Sequence, residues 1–477
     1  MAAQVQQNSS NSTSVMELEA VQYADLGSNK QPQPDNSPRH TSSGLRQESH
    51  VCQSDELSLP GSLPAPTTAT ESLQRWNYPR KNTARIAATF WAFLVMGAND
   101  AAYGAIIPYL ETFYNLTYTI VSLIFLSPFA GYTLSAILNN HIHQHLGQRG
   151  VAFISPLCHI IAYVLIAVHP PYPVLVIAFM IAGFGNGLAD AAWNAWIGNM
   201  ERANELLGFL HGVYGLGAVI SPLVATTMIT KGHLPWYSFY YIMVGLGVVE
   251  LTSSLYTFWG ATAREYRESV AQHDGGGGQK NSLRQALFSR PWARTTWLCS
   301  VFLLGYVGIE VALGGWIVTF MIRVRQGGAF ASGMTAMGFW LGVTVGRVVL
   351  GFVTPRLGEK TAIAIYLPLS MGLELLFWLV PQFYVSAVAV GLLGFFLGPL
   401  FPAAVVVATK LLPRHLHVGA IGFAAAFGGS GAAILPFAVG AIAQAKGVQV
   451  LQPIILALLG TILLLWLGLP RVNKKQE

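Results

Sequence analysis

The sequence predicts an all-α membrane protein of twelve transmembrane helices, arranged as two six-helix pseudo-repeats. Three observations lead to this fold class: an apolar composition, twelve apolar segments of membrane-spanning length, and a repeat between the two halves. Of the 477 residues, 53% are hydrophobic and 10% are charged, whereas a soluble protein carries about 25% charged residues. The basic residues behind the net charge of +6 are spread over loops, so a nucleic-acid partner is not expected.

The twelve apolar segments each have the length that crosses a bilayer as a helix. They centre near residues 97, 128, 160, 186, 218, 247, 308, 342, 370, 396, 430 and 458. A cytoplasmic N-terminus leaves most Lys and Arg residues on the inner side and only Lys231, Arg323, Arg325 and Lys446 outside. This asymmetry predicts that both termini are cytoplasmic. We expect a multi-pass protein of the plasma membrane, with the vacuolar or another endomembrane as the alternative.

Composition divides the chain into five stretches. Residues 1–82 are rich in Ser, Gln, Asn, Pro and Thr and cannot bury enough apolar surface to fold, so they are predicted to be a disordered cytoplasmic tail. The six-helix bundles are predicted at 83–260 and 295–470, with a cytoplasmic central loop at 261–294. Residues 471–477 are predicted to be a short cytoplasmic tail.

An internal repeat relates the two bundles. The segment from Gly131 to Arg149 matches the segment from Gly342 to Lys360 at a constant offset, and the fifth and eleventh helices share a Gly-x-Gly-x4-Pro pattern. Aligning the first and seventh helices places Gly314 opposite Gly104. A parallel repeat of this kind is typical of transporters, whose binding site lies near the membrane midplane between the halves.

Two acidic residues inside apolar segments are the strongest functional signal. Asp100 lies in the first predicted helix and Asp190 in the fourth, at a depth where a charge is costly and normally faces a protein interior or a water-filled space. Asn186, Asp190 and Asn194 are four residues apart, so they form one polar stripe along a helix. Such a stripe indicates a path for a solute or ion; hydrogen bonds that join helices are the alternative.

The two acids are predicted to differ in role. Asp190 lies among glycines and alanines, which solvate a charge poorly and favour the protonated form. The aligned residue in the second half is Pro402, so this acid is specific to one half. We expect Asp190 to couple proton movement to solute movement, and Asp100, with Asn99 beside it, to bind the solute.

A third candidate for the space between the halves is Glu310, which aligns with Asp100 and shares a helix face with Tyr306. A structural ion pair is the alternative for Glu310. Arg347 lies one turn from the inner loop, so its side chain is expected to extend to the membrane surface rather than contact solute.

The remaining candidates have ordinary structural explanations as well. Tyr103 and Trp193 are candidates for stacking on a ring-shaped solute, although aromatic residues in such helices mostly pack. His211 is a candidate proton relay or a helix contact. Glu250 and Glu374 are expected near helix ends or in local pairs, outside the site.

The segment from Gly351 to Lys360 resembles the cytoplasmic loop motif of the major facilitator superfamily. The corresponding stretch of the first half lacks the acidic residue of that motif, which weakens the expectation of a charge relay there. The resemblance implies a role in conformational change for the following residues: Gly351, Arg356, Gly358, Lys360, Gly147 and Arg149.

A narrower resemblance concerns the acids themselves. Asn99-Asp100 followed by Pro108, and Asp190 followed by Asn194, resemble the fucose permease branch of that superfamily. In that branch an acid on the first helix and an acid on the fourth face the central space, and its members are proton-coupled sugar symporters. The resemblance implies that Asp100 and Asp190 have the same placement here.

The string from Tyr306 to Trp316 is similar to fungal members named for bypass of stop codons, which implies a fungal protein. The superfamily resemblance covers about residues 85 to 470 and implies transport by alternating access. Without a nucleotide site, transport is expected to be driven by an ion gradient or to run downhill, and the narrower resemblance implies proton coupling. Uptake of a sugar-like nutrient and efflux of a fungal secondary metabolite or drug remain open. A membrane sensor that binds a solute without moving it is the alternative from another class.

The sequence gives no support to an enzyme, a cofactor or a metal site, because it lacks a phosphate-binding glycine loop, a metal-ligand cluster and a nucleophile with a base. The expected partners are a small organic solute, the proton and the lipid bilayer, and the protein is expected to be monomeric. Asn115 begins a glycosylation sequon in the loop after the first helix, which the predicted orientation places outside.

Overall fold

The computed structural model describes residues 75–273, 279–413 and 416–470. Residues 1–74 of the predicted N-terminal tail and the whole predicted C-terminal tail lie outside the described residues. The described part of the chain is built from α-helices and contains no β-strand. Its α-helices are α1 (Arg80–Tyr114), α2 (Tyr118–Val121), α3 (Leu123–Ala167), α4 (Tyr172–Gly198), α5 (Ala203–Thr230), α6 (Ser238–Phe258), α7 (Ala263–His273), α8 (Gln279–Phe288), α9 (Trp292–Arg323), α10 (Ala329–Leu357), α11 (Glu359–Leu379), α12 (Phe383–Leu397), α13 (Leu400–Leu411), α14 (His417–Lys446) and α15 (Leu451–Leu467).

Eleven helical stretches of the described chain are long and apolar enough to cross a membrane. One of them, Tyr118–Ala167, has 50 residues, about twice what a bilayer needs. Within it Gly147 adopts φ 69° and ψ −167°, which no α-helix contains, so α3 consists of two arms that cross in opposite directions. The predicted number of twelve crossings is therefore confirmed, with α12 and α13 together forming the tenth.

The segment that joins the two bundles contains two helices, whereas the sequence predicted a loop at 261–294. The helices are α7 and α8, on either side of the undescribed residues 274–278. An exposed pair between Arg264 and Glu268, 2.8 Å apart and one turn from each other, stabilises α7. Most residues of α7 are polar, so a search for apolar membrane segments does not detect this helix.

The two halves repeat the same helix contacts, which confirms the predicted pseudo-repeat. A Cβ on Gly131 would overlap the carbonyl oxygen of Met180, and a Cβ on Gly342 would overlap that of Gly391. Both residues of the second contact lie 211 positions after those of the first. Glycine is needed at these positions because the backbones of neighbouring helices touch there.

The equivalent contacts also correct one detail of the predicted alignment. Gly183 meets Pro128, and Gly394 meets Phe339, again with 211 residues between equivalent positions. The counterpart of Asp190 is therefore Phe401 and not Pro402. The second half has no acid at this position in either alignment.

The halves meet each other near the axis that relates them. A Cβ on Gly104 of α1 would overlap the carbonyl oxygen of Gly314 of α9, so the two aligned glycines touch. We call the end of the bundle where α1 finishes the distal end, and the end where α1 begins the proximal end. At the distal end the backbone N–H of Tyr118 donates to Oε1 of Gln444 at 2.9 Å, joining α2 of one half to α14 of the other.

Candidate functional site

Asp100 is held by side chains from three helices at the middle of the first half. Its Oδ2 accepts a hydrogen bond from the Tyr214 hydroxyl on α5 at 2.9 Å. Its Oδ1 accepts from Nδ2 of Asn186 on α4 at 3.1 Å and from Nδ2 of the adjacent Asn99 at 3.2 Å. The side chain remains partly exposed. Three donors thus fix the position of a carboxylate that remains partly accessible.

Asp190 lies one helical turn beyond Asn186 on α4 and has fewer partners. Asn194 donates from Nδ2 to Oδ1 of Asp190 at 2.8 Å and to its backbone oxygen at 2.9 Å. The side chains of Asp190 and Asn194 are partly exposed, and the carboxylates of Asp190 and Asp100 are near enough for their charges to interact. The structure thus brings together the predicted stripe and Asp100.

The second half contributes a charge pair rather than a lone acid. Nη2 of Arg347 on α10 lies 2.7 Å from Oε1 of Glu310 on α9, and the same nitrogen lies 3.5 Å from the Tyr306 hydroxyl. Nε of Arg347 also donates to the backbone oxygen of Gly398 at 3.3 Å. The expectation that Arg347 extends to the membrane surface is wrong, because a buried carboxylate attracts it inward.

Residues of α5 connect the acid cluster of the first half to the charge pair of the second. Tyr214, which donates to Asp100, is also close enough to Glu310 and Arg347 to interact with their charges. One turn earlier on α5, His211 has an exposed side chain near Arg347, and its ring lies edge-on to Phe93 at 5.5 Å. These contacts place one wall of the site on α5.

Tyr132 on α3 is a site residue that the sequence did not indicate. Its ring packs against Gly187 of α4, and its hydroxyl is near both Asp100 and Asp190. Glycine at position 187 leaves room for this ring. Gly187, next to the polar residue Asn186, was the sequence signal for a neighbour at this place. A glycine in a membrane helix leaves its backbone uncovered, so another helix can approach closely there.

The two predicted stacking residues lie in different surroundings. Tyr103 is buried beside the site, where its hydroxyl accepts a hydrogen bond from Nδ2 of Asn99 at 2.8 Å. Trp193 is 2% exposed and stacks on Phe258 of α6 with ring centres 4.5 Å apart. Tyr103 therefore joins the polar cluster, whereas Trp193 packs within the first half.

Two acids that were expected near helix ends or in local pairs lie deep in the protein. Glu250 is buried on α6, and its Oε2 lies 2.9 Å from Nδ1 of His159 on α3, a residue that the sequence analysis missed. Glu374 on α11 is buried, and within the described part of the chain neither of its oxygens has a hydrogen-bond partner. The expectation of a local pair for Glu250 is corrected, because its partner lies 91 residues away.

The residues of the loop motif lie at the proximal turns of the two halves. Gly147 and Gly358 both have positive φ, 69° and 80°, and each ends one helix and begins the next. Arg149 donates its backbone N–H to the oxygen of Ala261 at 3.0 Å, and its guanidinium lies 5.4 Å from the centre of the Trp259 ring.

The second half has a charge contact at this turn that the first half lacks. Glu359 is paired with Lys410 at 3.0 Å, and the ammonium of Lys360 donates to the backbone oxygen of Leu469. Arg356 and Gly351 are exposed. The first-half turn, which lacks the acid of the motif, is therefore held by backbone and aromatic contacts in place of an ion pair.

Within the described residues no group of three His, Cys, Asp or Glu side chains is arranged to hold a metal ion. The cluster instead offers carboxylate and amide oxygens, amide and hydroxyl donors and aromatic faces. Such groups bind a neutral polar solute through its hydroxyl groups and its ring faces, and a carboxylate among them can take up a proton.

Two known proteins are similar to this chain in sequence over most of its length. The chain is 29% identical over 417 residues to Bypass of stop codon protein 6 of Saccharomyces cerevisiae, which covers 82% of this chain and 84% of the yeast protein. It is 24% identical over 360 residues to the glucose/mannose transporter GlcP of Bacillus subtilis, with 73% of this chain and 85% of that protein covered. The predicted resemblance to the bypass-of-stop-codon members is thereby confirmed.

The fold is similar to the crystal structure of a POT family transporter in complex with 5-aminolevulinic acid. The TM-score is 0.65 at 13% sequence identity, over 83% of this chain and 97% of that chain. Residues 89–381 match the family description Major Facilitator Superfamily, which is more than half of the sequence. The chain belongs to the Major Facilitator Superfamily.

Proposed function

We propose that this protein is a proton-coupled secondary active transporter that takes up a small, sugar-like solute by alternating access. The observation that carries the proposal is the pair of unequal acids in one polar cluster. Asp100 accepts three side-chain hydrogen bonds, whereas Asp190 accepts one from Asn194. A carboxylate held by three donors is positioned to bind solute, whereas one with a single side-chain donor is freer to exchange a proton.

The polar character of the cluster favours a hydroxylated solute. Asp100, Asp190 and Asn194 are partly exposed hydrogen-bonding side chains of the cluster, and Tyr132 and Tyr214 are partly exposed beside them. A site built from hydrogen-bonding groups rejects solutes that leave those groups unpaired. The relative named as a glucose/mannose transporter supports the same solute class.

The packing between the halves supports alternating access. At the distal end Nη2 of Arg323 on α9 lies 3.9 Å from Oε2 of Glu111 on α1, and Lys231 on α5 lies 4.8 Å from the ring centre of Phe330. Contacts of this kind close one end over a site near the midplane. Their release, together with closure of the proximal end, would present the site to the opposite side.

The position of Asp190 on the proximal side of Asp100 supports proton coupling. A carboxyl that gains a proton on one side of a membrane and loses it on the other links proton and solute movement, provided that solute affinity depends on its protonation. The charge interaction between Asp190 and Asp100 supplies that dependence. We place the transporter in the plasma membrane as a monomer with both termini cytoplasmic.

The test is solute uptake by the purified protein in liposomes under an imposed pH gradient. We expect accumulation of radiolabelled D-glucose or D-mannose when the outside is acidic, and its collapse when a protonophore is added. Accumulation of hydrophobic metabolites but not of any sugar would indicate that the function is efflux and not sugar uptake. Saturable binding of a solute without flux in either direction would instead indicate a sensor.

A further inference from the structure

A buried ionisable pair lies next to the polar cluster in the first half. Nδ1 of His159 on α3 and Oε2 of Glu250 on α6 are 2.9 Å apart, and their side chains are 0% and 1% exposed. Burial of two ionisable groups at membrane depth is costly unless each finds partners. The second nitrogen of the histidine therefore also needs a partner.

The free edge of the His159 ring points toward α4. A Cβ on Gly185 would lie 2.8 Å from Nε2 and Cδ2 of His159, so the glycine makes room for the ring. The next residue is Asn186, whose amide is close enough to interact with the imidazole. Among the described residues, Nε2 of His159 and Oδ1 of Asn186 are both buried and neither has a hydrogen-bond partner, so each is an available partner for the other after a small rotation.

The nitrogen of the Asn186 amide already has a hydrogen-bond partner. Its Nδ2 donates to Oδ1 of Asp100 at 3.1 Å, so only its oxygen remains available to His159. An acceptor oxygen requires that Nε2 of His159 carries hydrogen. Glu250 then either accepts from a second N–H at Nδ1 or, when protonated, donates to Nδ1. In both cases one proton is shared by the pair and the Nε2–H faces Asn186.

We propose that His159 and Glu250 are positioning residues that act on Asp100 through Asn186. The pair fixes an N–H group against Oδ1 of Asn186, and this contact directs the amide nitrogen at Asp100. Loss of the pair frees the amide to rotate, and Asp100 loses one of its three donors. The proposal deepens the proposed function, because it names what prepares the carboxylate that would bind the solute.

The ionisable groups facing His159 come from three helices. Tyr163 of α3 stacks on its ring at 5.8 Å; α6 contributes Glu250 and α1 contributes Asp100. Tyr240 of α6 lies behind Tyr163 with ring centres 6.0 Å apart. The tyrosine hydroxyls are neutral at physiological pH, so the two carboxyl groups are the charges that the imidazole meets.

The competing explanation is that the pair only joins α3 to α6. Double-mutant cycles separate the two, because a simple helix contact should be energetically independent of Asp100. The pair is replaced as a unit by His159→Phe/Glu250→Met, since apolar replacement of a whole buried pair usually preserves folding, whereas removal of one partner does not. Phe and Met side chains have no N–H group, so the replacement removes the donor that faces Oδ1 of Asn186.

The experiment measures the Tm of the full-length protein in detergent, without solute. We expect the Tm shifts of the pair replacement and of Asp100→Asn to fail additivity by about 1 °C or more. This coupling should vanish in an Asn186→Ala background. The matched control is Ser155→Ala, one turn before His159, whose hydroxyl donates to the backbone oxygen of Gly185 at 2.8 Å. Its effect should add to that of Asp100→Asn.

A second measurement detects a change that a helix contact would not cause. The Tm difference between the parent and Asp100→Asn varies with pH as Asp100 binds its proton, and we expect the pair replacement to displace this pH profile. Additive Tm shifts together with an unmoved profile would overturn the proposal. If this pair replacement does not fold, His159→Leu/Glu250→Leu, which also removes both partners and the donor, enters the same cycle with the same criteria. None of these measurements requires transport, so failure of the proposed function leaves the result unaffected.

Discussion

Gly104 of α1 and Gly314 of α9 touch each other, backbone to backbone, at the centre of the interface between the two halves. A Cβ on Gly104 would overlap the carbonyl oxygen of Gly314. These are the two positions that the internal repeat aligns, so residues equivalent by sequence meet across the axis that relates the halves. The two halves can approach this closely only because neither position carries a side chain.

Substitution of Gly104 should therefore loosen the distal contacts. We expect Gly104→Leu to separate spin labels placed at Tyr118 and Gln444 by several ångströms in a background without native cysteines, because the side chain cannot fit between the helices. Gly245→Leu is the control, since in the described part of the chain no atom lies within 4 Å of a Cβ at that position. Unchanged label distances in Gly104→Leu would show that the interface yields without opening.

The fold was predictable where the signal is local. The length of each apolar segment, the glycine patterns of the repeat and the polar stripe on α4 are properties of continuous stretches of sequence. The meeting of Asn186, Asp190 and Asp100 followed from helix periodicity together with the rule that intramembrane acids face inward.

The parts that were not predictable depend on which helices become neighbours. His159 and Glu250 are 91 residues apart, and nothing in either local sequence indicates the other. The position of Arg347 near the inner loop suggested that its side chain reaches the membrane surface. The structure instead pairs it with the carboxylate of Glu310 at 2.7 Å, a neighbour on another helix that the local sequence does not indicate.

The two proximal turns offer a comparison between glycines of similar backbone geometry. Gly147 and Gly358 have φ of 69° and 80°, where a side chain costs about 1–3 kcal/mol. A Cβ on Gly147 would in addition overlap the backbone of Thr262, whereas no atom of the described residues lies within 4 Å of a Cβ on Gly358. We expect Gly147→Ala to lower Tm more than Gly358→Ala in thermal unfolding. Equal losses would mean that the Thr262 segment moves aside freely.

The buried charge pair should show strong coupling. We expect Arg347→Gln to reduce the free energy of unfolding by about 3 kcal/mol, because it leaves Glu310 buried without its partner. The double variant Glu310→Gln/Arg347→Gln should lose less than that single variant. The control is Arg264→Gln, which breaks an exposed pair with Glu268 and should cost less than about 1 kcal/mol. A double variant no better than Arg347→Gln would contradict the coupling.

The orientation predicted from the basic residues can be tested by glycosylation. Asn115 is exposed at the end of α1, at φ 52°, and we expect any glycan to be attached there. Treatment with an endoglycosidase should then increase the gel mobility of the parent but not of Asn115→Gln. Asn8 and Asn11 also begin sequons and should stay unmodified in the cytoplasm. A glycan on either residue would show that the orientation is the opposite of the predicted one.

The sharpest prediction separates the roles of the two acids. Asp190→Asn should abolish accumulation driven by a pH gradient while solute exchange remains measurable, because an amide of nearly the same size cannot carry a proton. Asp100→Ala should reduce solute binding itself, since Tyr214, Asn186 and Asn99 lose their common acceptor. The matched control is Glu374→Gln, which changes a buried acid outside the cluster. Both activities are measured in liposomes with D-glucose and D-mannose, with and without the gradient. Accumulation by Asp190→Asn equal to that of the parent would remove the coupling role from Asp190, whereas loss of exchange as well as accumulation would move Asp190 into the solute-binding group with Asp100.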